Sequence, residues 1–347
     1  MGIDVYDILK RFARLGGTRL KMAALWGVHV VHGRYVGVFV DSVLACNYRC
    51  KMCYFSNETE RKKRHGRLSK EQIAHVAHSL FSRTLKLQIG CGAEPTLDME
   101  GALELIRQGK AHKVPYIAMT SNGVRLDEQS LRTLVQAGLN ELTVSLHGIH
   151  RDTYETMMGT TADYDAFLNL LQAIRRVKSD FPAFNVRVNY TMNADNVDEL
   201  ADFDQLFADV PVNQLQLRPV RRIGESEYRN FDLQHVSECM DTVVRPLAER
   251  CRQKGITVLY PEKSHMERWK GQEKGSAREE LIALFTYINV TPMSYAGHDV
   301  HFETETYDQY ARRQHIGRTL FRSIFASEAA CAQIQTFLTN SLNYDIR

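Results

Sequence analysis

"YVGVFVDSVLACNYRCKMCYFS", residues 35–56, runs an apolar, β-branched segment straight into a loop with cysteines at 46, 50 and 53. Residues 35 to 44 have the composition of a buried strand. The next cysteine is Cys91, so one loop gathers three thiols and stops one short of a tetrahedral set. Thiolates at this spacing are soft ligands suited to zinc or to an iron–sulfur cluster. Structural zinc asks for four closed ligands, yet only one C-x2-C knuckle, Cys50 and Cys53, is present, and the nearest downstream histidine is His65. Three ligands on one loop suit a cubane cluster with one iron left open; a zinc-stabilised loop is the alternative.

From this strand onward, short β-rich runs alternate with amphipathic stretches. Runs at 85–90, 116–122, 141–147, 185–193 and 214–220 bring the strand count to six. The helices between them include "SKEQIAHVAHSLF" (69–81), opened by Ser69 as N-cap with Glu71 in its first turn. Strands alternating with helices of this length specify parallel βαβ units. Almost every strand ends in something small or polar: Cys46, "GCGAEP" (90–95), "TSNG" (120–123), Ser145 and His147, Asn189 to Asn193, and Arg218. Ligand sites of parallel α/β folds gather at that edge. Periodicity leaves open whether the sheet is doubly wound or barrel-like.

The 347 residues fit one α/β barrel with a tail, or two domains. With 44% hydrophobic and 24% charged residues a large core is expected, and 44 basic against 41 acidic residues give no field for nucleic acid. Seven cysteines, three of them within eight positions, do not make a disulfide scaffold. The apolar "MAALWGVHVV" (22–31) is too short to span a bilayer and lacks the flanks of a signal peptide, so a cytoplasmic protein is expected. Residues 1 to 25 mix Lys and Arg with apolar residues at helical spacing. A helix packed on the outside of a domain is expected there, with peripheral membrane contact as the alternative.

"CNYRCKMC" (46–53) after the first strand of a βα sheet resembles the C-x3-C-x2-C loop of the radical S-adenosylmethionine (radical SAM) enzymes. The resemblance runs over roughly residues 35–255. It implies a partial (βα)6 TIM-like barrel in which Cys46, Cys50 and Cys53 hold a [4Fe–4S] cluster. The open iron is then chelated by S-adenosylmethionine, which supplies the missing ligand. Reductive cleavage of that cofactor in the family yields a 5′-deoxyadenosyl radical, and the protein's share is positioning and exclusion of water.

Further cofactor contacts are carried over from the same resemblance. Gly92, Ala93, Glu94 and Pro95 match the G-G-E-P loop that receives the cofactor's amino group, with Ala in place of the second Gly. Ser121 and Asn122 lie in the strand-three motif, and Ser145 in the strand-four segment "LTVSLHG" followed by "RDTYETMMG". Asn189 on strand five and Arg218 on strand six complete the set. Met52 takes the place of an aromatic residue near the adenine, with Tyr54 adjacent.

Residues 287–302 and 313–327 resemble the C-terminal SPASM or twitch extension of many radical SAM enzymes, but only Cys331 lies beyond 251, so its cluster cysteines are missing. The expected organisation is an N-terminal helical extension (1–34), a radical SAM core (35–255) and a small α+β cap (256–347), with a polar linker near 262–280. Hydrogen abstraction from a carbohydrate, lipid or other small metabolite is expected. A peptide-modifying maturase is the alternative, disfavoured because the residues before strand one are few for a leader-binding domain. A non-catalytic metal-binding protein on the same fold is the reading from another class. The basic run "ERKKRHGR" (60–67) beside the thiol loop suggests a flavodoxin or ferredoxin-type electron donor, a solvated charged loop being the plainer explanation. Cys91 and His147 flank these motifs without an assigned role. Cys239 and Cys251, about 18 Å apart on one expected helix, are read as core.

Overall fold

A computed structural model describes residues 5–159, 161–222, 224–262 and 276–339. Six apolar runs form strands where the sequence places them: β1 (Val36–Val40), β2 (Thr84–Ile89), β3 (Tyr116–Ser121), β4 (Glu141–Leu146), β5 (Asn185–Met192) and β6 (Gln214–Pro219). Each is followed by a helix that crosses back, so neighbouring strands pair in parallel. Side chains such as Val38, Leu87, Ile117, Leu142, Val188 and Leu215 are buried against these helices. The helix Lys70–Leu80 is capped by Ser69, whose hydroxyl accepts from the Gln72 backbone while the Gln72 side chain accepts from the Ser69 backbone.

The strand count is eight, not six. β7 (Thr257–Leu259) pairs in parallel with β6, and β8 (Tyr287–Val290) with β1, in the order β7-β6-β5-β4-β3-β2-β1-β8. Both lie in the region expected to form a cap, and both are short. β7 spans three residues with no buried face and β8 follows directly on the helix Ala277–Thr286, so neither shows a period-2 pattern in sequence. Among the described residues β7 and β8 do not pair with each other, and the partial barrel stays open between them. The expected linker falls mostly at 263–275, outside the described residues.

At the N-terminus, helices Val5–Arg14 and Thr18–Val30 precede β1. Met22 and Leu25 of the second are buried, and Trp26 packs on Phe321 from the C-terminal helix Ile316–Phe325. No helix among the described residues is long and apolar enough to cross a membrane. The single long helix expected over 232–255 instead has α-helical ends, Gln234–Cys239 and Arg245–Gln253, joined by a wider π-helical turn at Met240–Val244. Pro246, which has no N–H to give, opens the second segment.

The thiol loop at the end of β1 is clamped from both sides. On one side the N–H groups of Arg49 and Lys51 donate to the carbonyls of Met158 and Met157, which end the helix Arg151–Met158. On the other, the Tyr228 N–H donates to the Lys51 carbonyl, and Ser56 Oγ accepts from the Glu227 N–H at 2.9 Å. Gly159 permits the first clamp. It has φ +98°, and a Cβ there would stand 2.3 Å from the Arg49 carbonyl oxygen.

Gly159→Ala should therefore destabilise the chain by about 2–4 kcal/mol, from left-handed strain plus overlap, and lower the iron retained after anaerobic reconstitution. Gly27→Ala, where a Cβ meets nothing within 4 Å, is the control and should leave both unchanged or raise stability. Urea denaturation and iron assay check this; equal behaviour of the two variants would contradict the clamp.

Candidate functional site

A cavity of about 750 Å³ opens at the C-terminal edge of the sheet. Cys46, Cys50 and Cys53 form one wall with Met52 and Tyr54; Gly92, Ala93 and Glu94 follow, then Ser121 and Asn122, Ser145 and His147, Thr191, and Gln216 and Arg218. The strand ends read as polar in sequence thus converge on one chamber. Pro95 is buried at the start of a 3-10 turn, Pro95–Asp98, behind this surface, and Asn189 also lies off the cavity wall. Asn189 sits in register between Ser145 and Gln216, its Oδ1 buried without a partner.

The three thiols are close enough for their charges to act on one another. Burial pushes Cys46 up to about 12, helped by the charge of Glu94; it raises Cys50 well above the ordinary thiol value and Cys53 in the same direction. Such thiols stay neutral in the bare protein. A multivalent iron–sulfur core offsets that cost, and three convergent sulfurs with no protein carboxylate among them form a donor set that fits one.

Glu94 has a definite job. Its carboxylate, 3% exposed, accepts from the Thr96 N–H (3.0 Å), Thr96 Oγ1 (2.6 Å), Ser121 Oγ (2.7 Å) and the Asn122 N–H (2.8 Å). Its own N–H donates to the Ala45 carbonyl. Glu94 is thus a brace, tying the β2 loop to the end of β3 through its carboxylate and to the thiol loop through its backbone N–H. Ser121 is part of that brace, and Asn122 Nδ2 donates to Asn47 Oδ1 at 2.9 Å, a second tie to the thiol loop. Ala93 is not among the non-glycine residues with positive φ, so its methyl is accommodated without strain.

Several residues at or behind the wall carry no assignment from the sequence. Asp41 follows β1 behind the wall, 2% exposed, and its carboxylate accepts from the N–H groups of Cys91 and Gly92 at 3.0–3.2 Å. Burial pushes it up to about 6, and the backbone donors hold it from going higher. The signal was a single acid immediately after an apolar strand. Cys91 is exposed and lines the cavity, unlike the buried Cys239, Cys251 and Cys331. His147 is held neutral by burial, down to about 4, with Nδ1 unpartnered. Arg221, Tyr260 and Pro261 close the far side, the last two just after β7.

With this geometry in place, the chain can be set beside known proteins. A family model described as the Radical SAM superfamily matches residues 42–207. That stretch, just under half of the chain, carries the thiol loop and the motifs after the second to fourth strands, and its similarity is to the radical SAM superfamily. Curated relatives include proteins named "Probable GTP 3',8-cyclase" from Saccharolobus solfataricus, 29% identical over 205 residues, and from Sulfurisphaera tokodaii, 23% over 206. These matches cover 57% and 59% of this chain and 62% of each relative. The fold is shared with Streptococcus suis SuiB bound to S-adenosylmethionine (TM-score 0.56, 12% identity, 75% of this chain and 59% of that one). It is shared also with anSMEcpe with bound AdoMet (TM-score 0.52, 13% identity, 64% of each). The chain spans about three fifths of the length of these relatives, and the family match supports a radical SAM enzyme with a [4Fe–4S] cluster and S-adenosylmethionine as cofactors.

The buried Asp41 gives a pH test. Unfolded, Asp41 loses its proton near pH 4; folded, only near pH 6. Folding therefore takes up a proton in between, and this group's contribution to stability falls as pH rises through that window. The stability of the apo chain relative to Asp41→Asn should drop by on the order of 2 kcal/mol from pH 4 to 6.5, read by urea denaturation of both. A difference that does not vary with pH would contradict it.

Proposed function

We propose that the enzyme holds its cluster on Cys46, Cys50 and Cys53 and abstracts hydrogen from an anionic small metabolite seated toward Arg218. Bound together, cluster and cofactor supply one-electron cleavage of a sulfonium and, through it, attack on an unactivated C–H bond. The residues around them supply position. The Glu94 brace fixes the backbone of Gly92 and Ala93 toward the cofactor side, Met52 and Tyr54 give an apolar surface for a flat base, and Ser145 offers a hydroxyl. Asn189 supports this row from behind.

The substrate class rests on one observation. Arg218 projects from the end of β6 into the cavity, and its hydrogen bond is to a neutral acceptor, Gln216 Oε1 at 3.1 Å. The side chain is solvent-accessible at the cavity, and the surrounding protein, followed by the nearby cationic Arg187, lowers its basicity. An anionic group on the substrate relieves both. The wall's carboxylate, Glu94, is committed to its brace, so phosphate or carboxylate meets little repulsion. The relatives named for GTP supply the first compound to try. Between 251 and 347 the sequence holds Cys331 alone, and the arginine side is proposed as the substrate's anchor.

Of the expected cap, the segment at the end of β7 is proposed as the part that covers the mouth, supported by the wall positions of Leu259, Tyr260 and Pro261. A flavodoxin or ferredoxin-type donor is proposed to approach the helix Glu58–Lys63. There Arg61, Lys62 and Lys63 sit in the last turn and Arg64 stacks over Tyr54 at 4.0 Å.

Arg218→Met separates these roles. With GTP, sugar phosphates and small carboxylates screened for turnover, the substrate found should show a KM raised roughly 10- to 100-fold in the variant, the worth of a charged hydrogen bond. Cofactor cleavage without substrate should stay near wild type. Turnover of only uncharged compounds, or an unchanged KM, would sink the anionic reading.

A further inference from the structure

Away from the cavity, three side chains of different chemistry meet at one point. Asp198 lies in the turn after β5; His235 and Cys239 stand one helical turn apart on Gln234–Cys239, in the segment after β6. His235 Nε2 is 2.6 Å from Asp198 Oδ2, Cys239 Sγ is 3.4 Å from Asp198 Oδ1, and the same sulfur is 3.7 Å from His235 Nε2. One ligand atom from each residue lies within 4.8 Å of the others. Carboxylate oxygen, imidazole nitrogen and thiol sulfur are the ligand types zinc takes.

The geometry points to a zinc site formed by Asp198, His235 and Cys239, with water as the fourth ligand. A tetrahedral ion at ordinary bond lengths sets its ligand atoms about 3.4–3.6 Å apart. The sulfur lies near that spacing from both partners, 3.4 Å from Asp198 Oδ1 and 3.7 Å from His235 Nε2, while the imidazole meets the other carboxylate oxygen, Oδ2, so a small turn of the carboxylate brings one oxygen to the ion. The nitrogen–oxygen edge is shorter because a proton joins those atoms, and it opens by roughly 0.8 Å when a metal takes the proton's place. Cys239 is buried and forms the floor, while the His235 and Asp198 side chains, 42% and 65% exposed, leave the outer side to water. Glu238 Oε2, 3.7 Å from His235 Nδ1, supplies the outer partner that fixes a ligating imidazole. The π-helical turn begins immediately after Cys239, an irregularity that recurs at functional positions.

Such an ion cross-links the loop after β5 to the helix after β6. That loop reaches the catalytic wall: Asn193 Nδ2 contacts Met52 Sδ at 3.1 Å, and Asn196 Nδ2 donates to the His147 carbonyl at 2.9 Å. The ion's role is therefore structural, stiffening the side of the cavity that backs the thiol loop.

The test uses the full chain with its cluster already reconstituted, exposed to zinc chloride and desalted, with zinc and iron measured by mass spectrometry and the zinc shell by X-ray absorption. About one zinc per chain with a single sulfur in its shell, lost in His235→Ala and Cys239→Ala while iron is retained, is the expected result. Wild-type protein that keeps no zinc overturns the site. So does a shell with three sulfurs, which puts zinc on the thiol loop, and so does zinc retained equally by both variants. Asp198→Asn, at an exposed position, guards against a folding artefact and should weaken zinc retention without lowering iron.

Discussion

A loop carrying three thiols cannot satisfy its own backbone. Its short turns leave N–H and carbonyl groups that need partners from elsewhere, and the sheet edge supplies them. Arg49 and Lys51 donate to the carbonyls of Met158 and Met157, Lys51 accepts from Tyr228, and Ala45 accepts from Glu94. These bonds come from segments following β2, β4 and β6, so the thiols converge only when the parallel sheet has formed. The site is a consequence of the fold's register rather than of the cysteine spacing alone.

Two buried carboxylates extend this dependence. Asp41 beneath the β2 loop and Glu94 within it each accept several short hydrogen bonds, and a buried acid is tolerated only with such partners. Together they hold the backbone of residues 91–94 at the cavity wall. Flexible side chains there would lose geometry at the reacting end, where small displacements are costly. The opposite wall is built differently: Ser145 and Gln216 face the cavity with Asn189 in register between them behind the wall, and Arg218 stands beyond Gln216, giving adaptable polar groups on a rigid sheet.

The sequence made six strands and the chemistry of their C-terminal ends legible, because β-branched runs and strand-end polar residues are local signals. The thiol set and the family were readable from spacing in that context. β7 and β8 were not, since three or four residues carry no periodicity and their pairing is decided by the open edges of β6 and β1. Glu94 is legible as a residue of the site but its partners are not: Thr96, Ser121 and the Asn122 backbone reach its carboxylate only once β2 and β3 lie side by side. Asp41 and the meeting of Asp198 with Cys239 join residues 41 or more apart, beyond any local pattern. The π-helical turn at Met240–Val244 reflects hydrogen-bond geometry that residue type does not encode.

The most direct measurement is made on protein purified and reconstituted without oxygen: iron and sulfide content, then 5′-deoxyadenosine formed from S-adenosylmethionine and dithionite, beside a Cys46→Ala, Cys50→Ala, Cys53→Ala variant. About four irons per chain, with product formed only when the three cysteines are intact, is the result this account predicts. Iron bound equally by the variant, or product formed without those cysteines, would contradict it.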